Sequence, residues 1–360
     1  MSELRQNLIT RDWVIVATER AKRPDEFTQQ NKQVTDSPAY RLHCPFCIGN
    51  EDSSEVELFR LGDTEALLGT PLEKPKASAD YPSWKVRSVL NKFPALSPVG
   101  EPDINVEGLY RSMNGFGIHE VVIEHPRHNV TTALLDVNDI ADILRAYRHR
   151  YAEIRKDPRI KTITIFKNHG ERAGTSLEHP HSQIAATPIV PCQIRNRIAE
   201  AMRFIDDTGE CLFCRTLKDE LAEATRVVRE SERFVAFIPY AALSPFHTWI
   251  FPRRHTSSFD DITDAEILDL AYTLKMVLAK LYYGLNNPDY NYTIRSLPTD
   301  EQYTDYFHWY IAIVPRLSYT AGFELGSGMY INTVTPEDSA EFLRRVQIPE
   351  NPVFTNEIEE

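Results

Sequence analysis

Apolar, β-branched and aromatic residues are concentrated in seven short runs, a pattern typical of strands. Two longer segments, 136–157 and 261–285, place apolar residues at spacings of three and four behind an aspartate-containing start, which predicts amphipathic helices. Between about 20 and 115 the chain is richer in Pro, Ser and Asp, and we expect long loops there. The seven runs are residues 13–17, 119–124, 161–166, 233–239, 247–251, 290–296 and 308–315.

The order of these elements repeats along the chain. In each half a CxxC pair is followed by a strand that leads into a histidine, then by a long helix, a further strand and a second histidine. The two histidines are 51 residues apart in the first half and 53 in the second. Matching order, residue type and spacing predict a duplicated α+β unit. We expect an N-terminal domain over residues 1–195 and a C-terminal domain over 196–360.

Composition and charge narrow the function classes. The chain has 360 residues and a formal charge of −12, which argues against a general affinity for nucleic acid because phosphate binding needs a basic surface. The first residues lack the layout of a signal peptide, and no apolar run approaches the roughly 20 residues that span a membrane. We therefore expect a cytoplasmic protein.

Four of the five cysteines form the two CxxC pairs. An odd cysteine count without a secretory signal disfavours a disulfide framework, and no thioredoxin-like unit surrounds either pair, so metal binding is favoured. Two cysteines and two histidines make a closed tetrahedral set, which predicts two structural zinc sites per chain, the second of them open to zinc or iron. The alternative is that the histidines are core or surface residues. The predicted ligands are Cys44, Cys47, His128 and His179 in the first half and Cys211, Cys214, His255 and His308 in the second.

The stretch SLEHPHSQIAATP, residues 176–188, places two imidazoles two positions apart. Alternate residues of an extended segment share a face, so His179 and His181 would be neighbours, with Gln183 next along. If His179 binds a metal, its ring is fixed and His181 is held beside it, free for chemistry. Tyr310 stands at the matching position of the second half, so we expect one kind of active site. The alternative is a solvated loop with two incidental histidines.

Seven motifs follow one another over nearly the full length of the chain: LRQNLITRDWVIVATERAKRP, CPFCIGNE, LNKFPAL, GIHEVVIEHPRH, FKNHGERAGTSLEHPHSQ, PFHTWIFPRRH and AGFELGSGMYIN. Together and in this order they resemble those of the galactose-1-phosphate uridylyltransferase family, a branch of the histidine-triad superfamily. The resemblance implies two tandem histidine-triad-like units, each an antiparallel sheet with packed helices, and a homodimer. It also implies a double displacement. His181 attacks the α-phosphorus of a nucleotide sugar, releases a hexose 1-phosphate, and passes the nucleotide to a second hexose 1-phosphate.

The same resemblance assigns further site residues. Charge gathers on the α-phosphate at the transition state, and Gln183 matches the family glutamine that donates to the phosphoryl oxygens beside the catalytic His181. Without the family match, the two arginines near the start would be interpreted as a solvated basic loop. The implied substrate-binding residues are Arg20 and Arg23 near the phosphates, Asn91 in the nucleoside-binding stretch, Asn168, Gly174 and Ser176 at the phosphoryl group, and Glu324, assisted by Asn332, on the sugar hydroxyls.

Two features depart from the best-known bacterial members. Ser182 replaces a glycine, and the segment GFELGSGMYINTVTPED resembles plant-type enzymes that transfer an adenylyl group from ADP-glucose to phosphate. Both leave the chemistry intact and leave the base and the acceptor open. The sequence favours uridylyl transfer from UDP-glucose to galactose 1-phosphate. Adenylyl transfer from ADP-glucose to phosphate is the first alternative, and a nucleotide-binding protein with little turnover is the second.

Overall fold

The computed structural model describes residues 2–17, 19, 27, 34–62, 84–301, 304–350 and 358–359. In these ranges the helices are α1 (Val137–Arg155), α2 (Cys192–Thr208), α3 (Leu212–Glu223), α4 (Asp264–Leu285), α5 (Gly322–Ser327) and α6 (Pro336–Arg345). The strands are β1 (Glu3–Gln6), β2 (Trp13–Val16), β3 (Tyr40–Arg41), β4 (Glu57–Leu61), β5 (Val86–Leu90), β6 (Ile104–Glu107), β7 (Tyr110–Met113), β8 (Ile118–Ile123), β9 (Thr162–His169), β10 (His181–Thr187), β11 (Val227–Glu230), β12 (Phe234–Phe237), β13 (Thr248–Pro252), β14 (Tyr290–Arg295), β15 (Tyr310–Pro315), β16 (Tyr330–Asn332) and β17 (Ile358–Glu359).

Ten strands form one antiparallel sheet in the order β11-β12-β13-β15-β14-β9-β10-β8-β5-β4. The order is palindromic, because each strand of the second half occupies the position of its counterpart in the first. The halves join where β14 pairs with β9, at a seam that sets Asn291 opposite Asn168. The antiparallel sheet with its helices confirms the predicted α+β class. The two sheets that we expected, one in each half, form a single sheet. The expected domain boundary at residue 195 lies inside α2.

The two long helices pack against each other and against one face of this sheet. Asp136 caps the first turn of α1, and Thr263 forms a capping box with Glu266 at the start of α4, contacts that stabilise a helix end by about 1 kcal/mol. The strand residues facing the helices, such as Ile165 and Ile294, are almost fully buried. Each such side chain contributes roughly 1.5–3 kcal/mol by leaving water. The opposite face carries both cysteine and histidine clusters.

Each of the seven predicted strand runs overlaps a strand of the structure, and the two predicted helices correspond to α1 and α4. The expectation of long loops between about 20 and 115 was incomplete, because β4 and β5 lie there and complete the sheet. Arg87 interrupts the apolar pattern of β5, yet it is buried and paired with Glu57 of β4. In the described ranges, no helix combines the length and apolar character needed to cross a membrane.

Candidate active site and metal centres

Four ligand atoms converge in the first half. The Sγ atoms of Cys44 and Cys47 and ring nitrogens of His128 and His179 all lie within 4.8 Å of one another, and all four residues are buried. The Nε2–H group of His179 donates to the carbonyl of His125 at 2.8 Å, which leaves Nδ1 to face the cluster. A hydrogen bond from Cys47 is the main cause that lowers the pKa of the Cys44 thiol, so this group readily carries the thiolate that a metal requires. The residues therefore fit a metal ion.

The second half builds a looser cluster. Cys211, Cys214 and His255 have ligand atoms within 4.8 Å of one another. Cys214 Sγ is 3.1 Å from Nδ1 of His255 and 3.7 Å from Nδ1 of His308. His255 is oriented by a hydrogen bond from Nε2 to the carbonyl of Thr304 at 2.9 Å. The structure thus groups three of the four predicted ligands tightly and places His308 at the margin.

His181 is the first residue of β10 and lies two residues after His179 of the first cluster. Its Nδ1–H group donates to the carbonyl of His179 at 2.8 Å, so in the neutral ring the lone pair is on Nε2. Burial is the main cause that lowers the pKa of His181, which favours this neutral, nucleophilic form. The ring of Phe46, from the loop between the two cysteines, lies 5.5 Å from that of His181 and 6.0 Å from that of His179. The loop between the two cysteines thus helps to position both imidazoles.

Gln183 follows on the same face of β10 and is held by a neighbouring strand. Nε2–H of His119 on β8 donates to Oε1 of Gln183 at 2.8 Å, while Nδ1 of His119 accepts from the backbone N–H of Ala95 at 3.1 Å. These contacts leave the amide NH₂ of Gln183 as a donor. The side-chain amide of Asn91 lies 3.3 Å from His119 Nε2. Two residues predicted from the sequence therefore meet through a histidine that sequence reasoning missed.

A cleft of about 470 Å³ opens beside His181 and is lined by the loop that joins β9 to β10. Asn168 and Ser176 line it, and Oδ1 of Asn168 accepts from Nδ2 of Asn291 across the seam at 2.8 Å. Gly174 has a left-handed φ of 87°, which lets the loop turn back toward Asn168. The structure thus brings these three predicted residues together. Asn291 was not anticipated, because its role depends on the pairing of two halves distant in sequence.

The remaining predicted substrate residues fall into two groups. Arg20 and Arg23 lie outside the described residues. Glu324 is in α5, where its carboxylate accepts from the backbone N–H of Ala321, and Asn332 is fully buried in β16. The donor and the acceptor of the Asn332 side-chain amide both form hydrogen bonds with backbone groups. Its described contacts are therefore structural, and they do not reach the cleft.

Comparisons with known proteins match the chain over most of its length. The profile of the galactose-1-phosphate uridyl transferase N-terminal domain matches residues 1–191, and that of the C-terminal domain matches residues 197–347. An ADP-glucose phosphorylase of Arabidopsis thaliana is 39% identical over 350 residues, covering 96% of this chain and 93% of the relative. A galactose-1-phosphate uridylyltransferase of Thermotoga maritima is 28% identical over 359 residues, covering 97% of this chain and 99% of the relative.

Solved structures match over a similar length. The crystal structure of an ADP-glucose phosphorylase from Arabidopsis thaliana with bound ADP-glucose has a TM-score of 0.79 and 36% identity, with 97% of this chain and 100% of that chain covered. A uridylyltransferase structure has a TM-score of 0.70 and 26% identity, with 96% of this chain and 97% of that chain covered. Since both family domains are matched in order over most of its length, the chain belongs to the galactose-1-phosphate uridyl transferase family.

Proposed function

We propose that the protein is a nucleotidyltransferase in which His181 carries a nucleoside monophosphate covalently, with ADP-glucose as donor and phosphate as acceptor. The observation that carries the proposal is the hydrogen bond from His181 Nδ1 to the His179 carbonyl, which directs the proton to one ring nitrogen and the lone pair to the other. A buried neutral imidazole at the cleft is a good nucleophile near pH 7 and a good leaving group afterwards.

Each half-reaction exchanges one bond to the α-phosphorus. Nε2 of His181 attacks the phosphorus, the P–N bond forms, and the bond to the bridging oxygen breaks as glucose 1-phosphate leaves with the electron pair. A phosphate oxygen then attacks the same phosphorus, the P–N bond breaks and ADP is released. The positive charge on the nucleotidylated ring is stabilised by Nδ1–H and the His179 carbonyl. No separate energy source is needed, because one phosphoanhydride is exchanged for another.

Fixed donors stabilise the charge that develops on the phosphoryl oxygens. The NH₂ group of Gln183 is available because His119 occupies its carbonyl oxygen. Asn168 is held in the same way, since Asn291 occupies its carbonyl oxygen and leaves its NH₂ group to donate. Losing one such preorganised donor typically costs ~10²–10³ in kcat.

We also propose that both cysteine and histidine clusters hold structural zinc, with iron as the alternative in the second. Thiolate sulfur and imidazole nitrogen are the ligands that tetrahedral zinc prefers. In the first cluster the ion would fix His179, and through its carbonyl and the ring of Phe46 it would fix His181. We further propose that the protein forms a homodimer, as the family resemblance implies.

The choice of ADP-glucose reverses the order favoured by the sequence. The Arabidopsis ADP-glucose phosphorylase is 39% identical to this chain, whereas the Thermotoga uridylyltransferase is 28% identical. The difference supports the adenylyl branch. The second candidate is uridylyl transfer from UDP-glucose to galactose 1-phosphate, which is supported by the match of the Thermotoga relative over 97% of the chain.

A labelling experiment tests both candidates. The protein is incubated without acceptor with ADP-glucose or UDP-glucose labelled at the α-phosphate, and covalent label is counted after denaturation. We expect label from ADP-glucose, its release as ADP on addition of phosphate, and no label in the His181→Gly variant. Label from UDP-glucose that galactose 1-phosphate releases as UDP-galactose would favour the second candidate. Labelling that persists in His181→Gly would contradict the assigned nucleophile.

A further inference from the structure

A group of buried polar side chains lies directly beneath the nucleophile, on the helix-facing side of the sheet. Its members are Glu124 after β8, Tyr147 on α1, Lys167 on β9 and Ser182 on β10, and none is more than 1% exposed. We call these four residues the polar clasp. Side chains of this kind are rarely buried so completely, because each loses its contacts with water.

The hydrogen bonds of the polar clasp form a closed path. The hydroxyl of Tyr147 is 3.1 Å from Oε1 of Glu124 and 2.6 Å from Oγ of Ser182. The same hydroxyl lies 2.6 Å from the hydroxyl of Tyr292 on β14, and the Glu124 carboxylate, which only accepts, is paired with Lys167. Lys167 Nζ also lies 3.5 Å from the carbonyl oxygen of His181. This path of contacts begins at the side chain of Ser182 and ends at the carbonyl oxygen of His181. It therefore encloses the peptide bond between these two residues.

The second half shows that the fold does not require this group. Tyr310 occupies the place of His181, so Ile311 corresponds to Ser182. Ile294 lies opposite Ile311 and takes the place of Lys167. Both isoleucines are almost fully buried, and Pro252 stands where Glu124 would be. The half without a reactive imidazole thus fills the same space with apolar side chains.

A buried ion pair is costly to desolvate, and apolar residues of similar size are often at least as stabilising. The first half keeps such a pair next to the peptide of its nucleophile, whereas its internal counterpart does without one. Because Lys167 and Glu124 carry opposite charges, their fields at His181 oppose each other. The two charges therefore offset each other in part at the ring, while the contacts of the group with the His181–Ser182 peptide give it a geometric role.

We propose that the polar clasp positions the nucleophile, by holding the His181–Ser182 peptide so that the ring of His181 stays directed into the cleft while its bond to phosphorus forms and breaks. This inference rests on the proposed role of His181. The four residues act as positioning residues, through the backbone of their neighbour. Ser182, which departs from the glycine of bacterial relatives, is the member that supplies the second attachment point.

The decisive variant is the double substitution Lys167→Met with Glu124→Gln, which removes both charges and retains the lengths of both side chains. We expect it to fold and to bind metal as the parent does, because neither charge is left unpaired. We expect kcat to fall about 100-fold with little change in KM, since a displacement near 1 Å costs that much. Tyr147→Phe, which removes one hydroxyl, is the milder second variant, with an expected loss of about 10-fold.

Lys280→Met provides a matched control. Lys280 is a second buried lysine, and its ammonium donates to three backbone carbonyls at 2.8–3.2 Å, far along the sequence in α4. Its loss is expected to lower the unfolding temperature and to leave kcat unchanged. If Lys280→Met reduces kcat as much as the clasp double variant does, the effect is general destabilisation and the positioning role is overturned.

Chemical rescue separates positioning from other effects. In the His181→Gly variant, added imidazole takes the place of the missing side chain. Because this imidazole is not attached to the chain, the position of the backbone no longer directs the nucleophile. We expect the clasp double substitution to cause no further loss of the imidazole-supported rate. The proposal would be overturned if the double substitution lowered the imidazole-supported rate of His181→Gly by the same factor. It would also be overturned if the double variant, with His181 present, had the kcat of the parent. A parent enzyme that turns over neither nucleotide sugar would instead refute the proposed function.

Discussion

Gly170 lines the cleft beside His181, and replacing it with alanine tests how tightly the β9–β10 loop is built. Its φ of 84° and ψ of 160° lie in a region that essentially only glycine adopts. An added Cβ would lie 2.1 Å from Oδ1 of Asp289. That carboxylate is fixed, because its other oxygen accepts from the backbone N–H of Arg172 at 2.7 Å. Gly170→Ala therefore forces either the loop or Asp289 to move.

The structure separates the two contributions to the cost. The backbone strain is worth roughly 1–3 kcal/mol and the steric overlap roughly another 1–3 kcal/mol. Gly209 at the end of α2 is the control, since it also has a positive φ, 73°, but an added Cβ would meet no atom within 4 Å. Gly209→Ala is thus expected to cost only the strain of a left-handed residue, roughly 1–2 kcal/mol.

The two variants are compared by thermal unfolding and by steady-state kinetics with ADP-glucose and phosphate. We expect Gly170→Ala to lower the unfolding temperature more than Gly209→Ala does. We also expect it to reduce kcat/KM at least about 10-fold, equivalent to ~1.4 kcal/mol of transition-state stabilisation. Gly209→Ala should retain kcat/KM. Equal unfolding temperatures for the two variants, together with unchanged kcat/KM in Gly170→Ala, would refute the steric reasoning.

Three further predictions follow from the described contacts. His119→Phe removes the donor that orients Gln183. The loss of one hydrogen bond worth ~1.4 kcal/mol should lower kcat about 10-fold. An unchanged rate of covalent labelling would contradict this prediction. Burial lowers the pKa of His247 to about 3, so the stabilisation that this residue contributes is complete above pH 6.5 and decreases as the pH falls, by about 2 kcal/mol at pH 5. In denaturant titrations, His247→Gln should lessen that decrease, and an identical pH dependence would contradict it. Cys47→Ser should reduce the metal content from two ions per chain to one by elemental analysis; retention of two would disprove the first site.

Local signals made part of the fold predictable. The long helices and the strands around His181 carry strong periodicity or β-branched enrichment, and the structure contains them. The two cysteine and histidine clusters were predictable because CxxC turns and widely spaced histidines recur in both halves. The strand β5 was missed because the burial of Arg87 depends on Glu57, which lies about 30 residues earlier in the sequence. An ion pair that forms only in the folded sheet leaves no apolar pattern.

Parts of the site depended on contacts that sequence spacing does not encode. His119 orients Gln183 across paired strands, and Asn291 orients Asn168 across the junction of the two halves. Asn291 lies outside the family motifs, and His119 lies inside one of them, GIHEVVIEHPRH, without a role that the sequence assigns. Lys167 likewise appears as an ordinary polar residue at the end of a strand, and only its buried position beneath His181 distinguishes it.

The seam between β14 and β9 has a consequence for the smallest unit that can act as an enzyme. Dividing the chain between the halves would leave β9 as an exposed border strand, with a row of unsatisfied backbone donors and acceptors. Such a border invites self-association, and it would also deprive Asn168 of its partner. The second half therefore covers the border strand of the first, and an isolated fragment that contains His181 but lacks the second half would tend to aggregate.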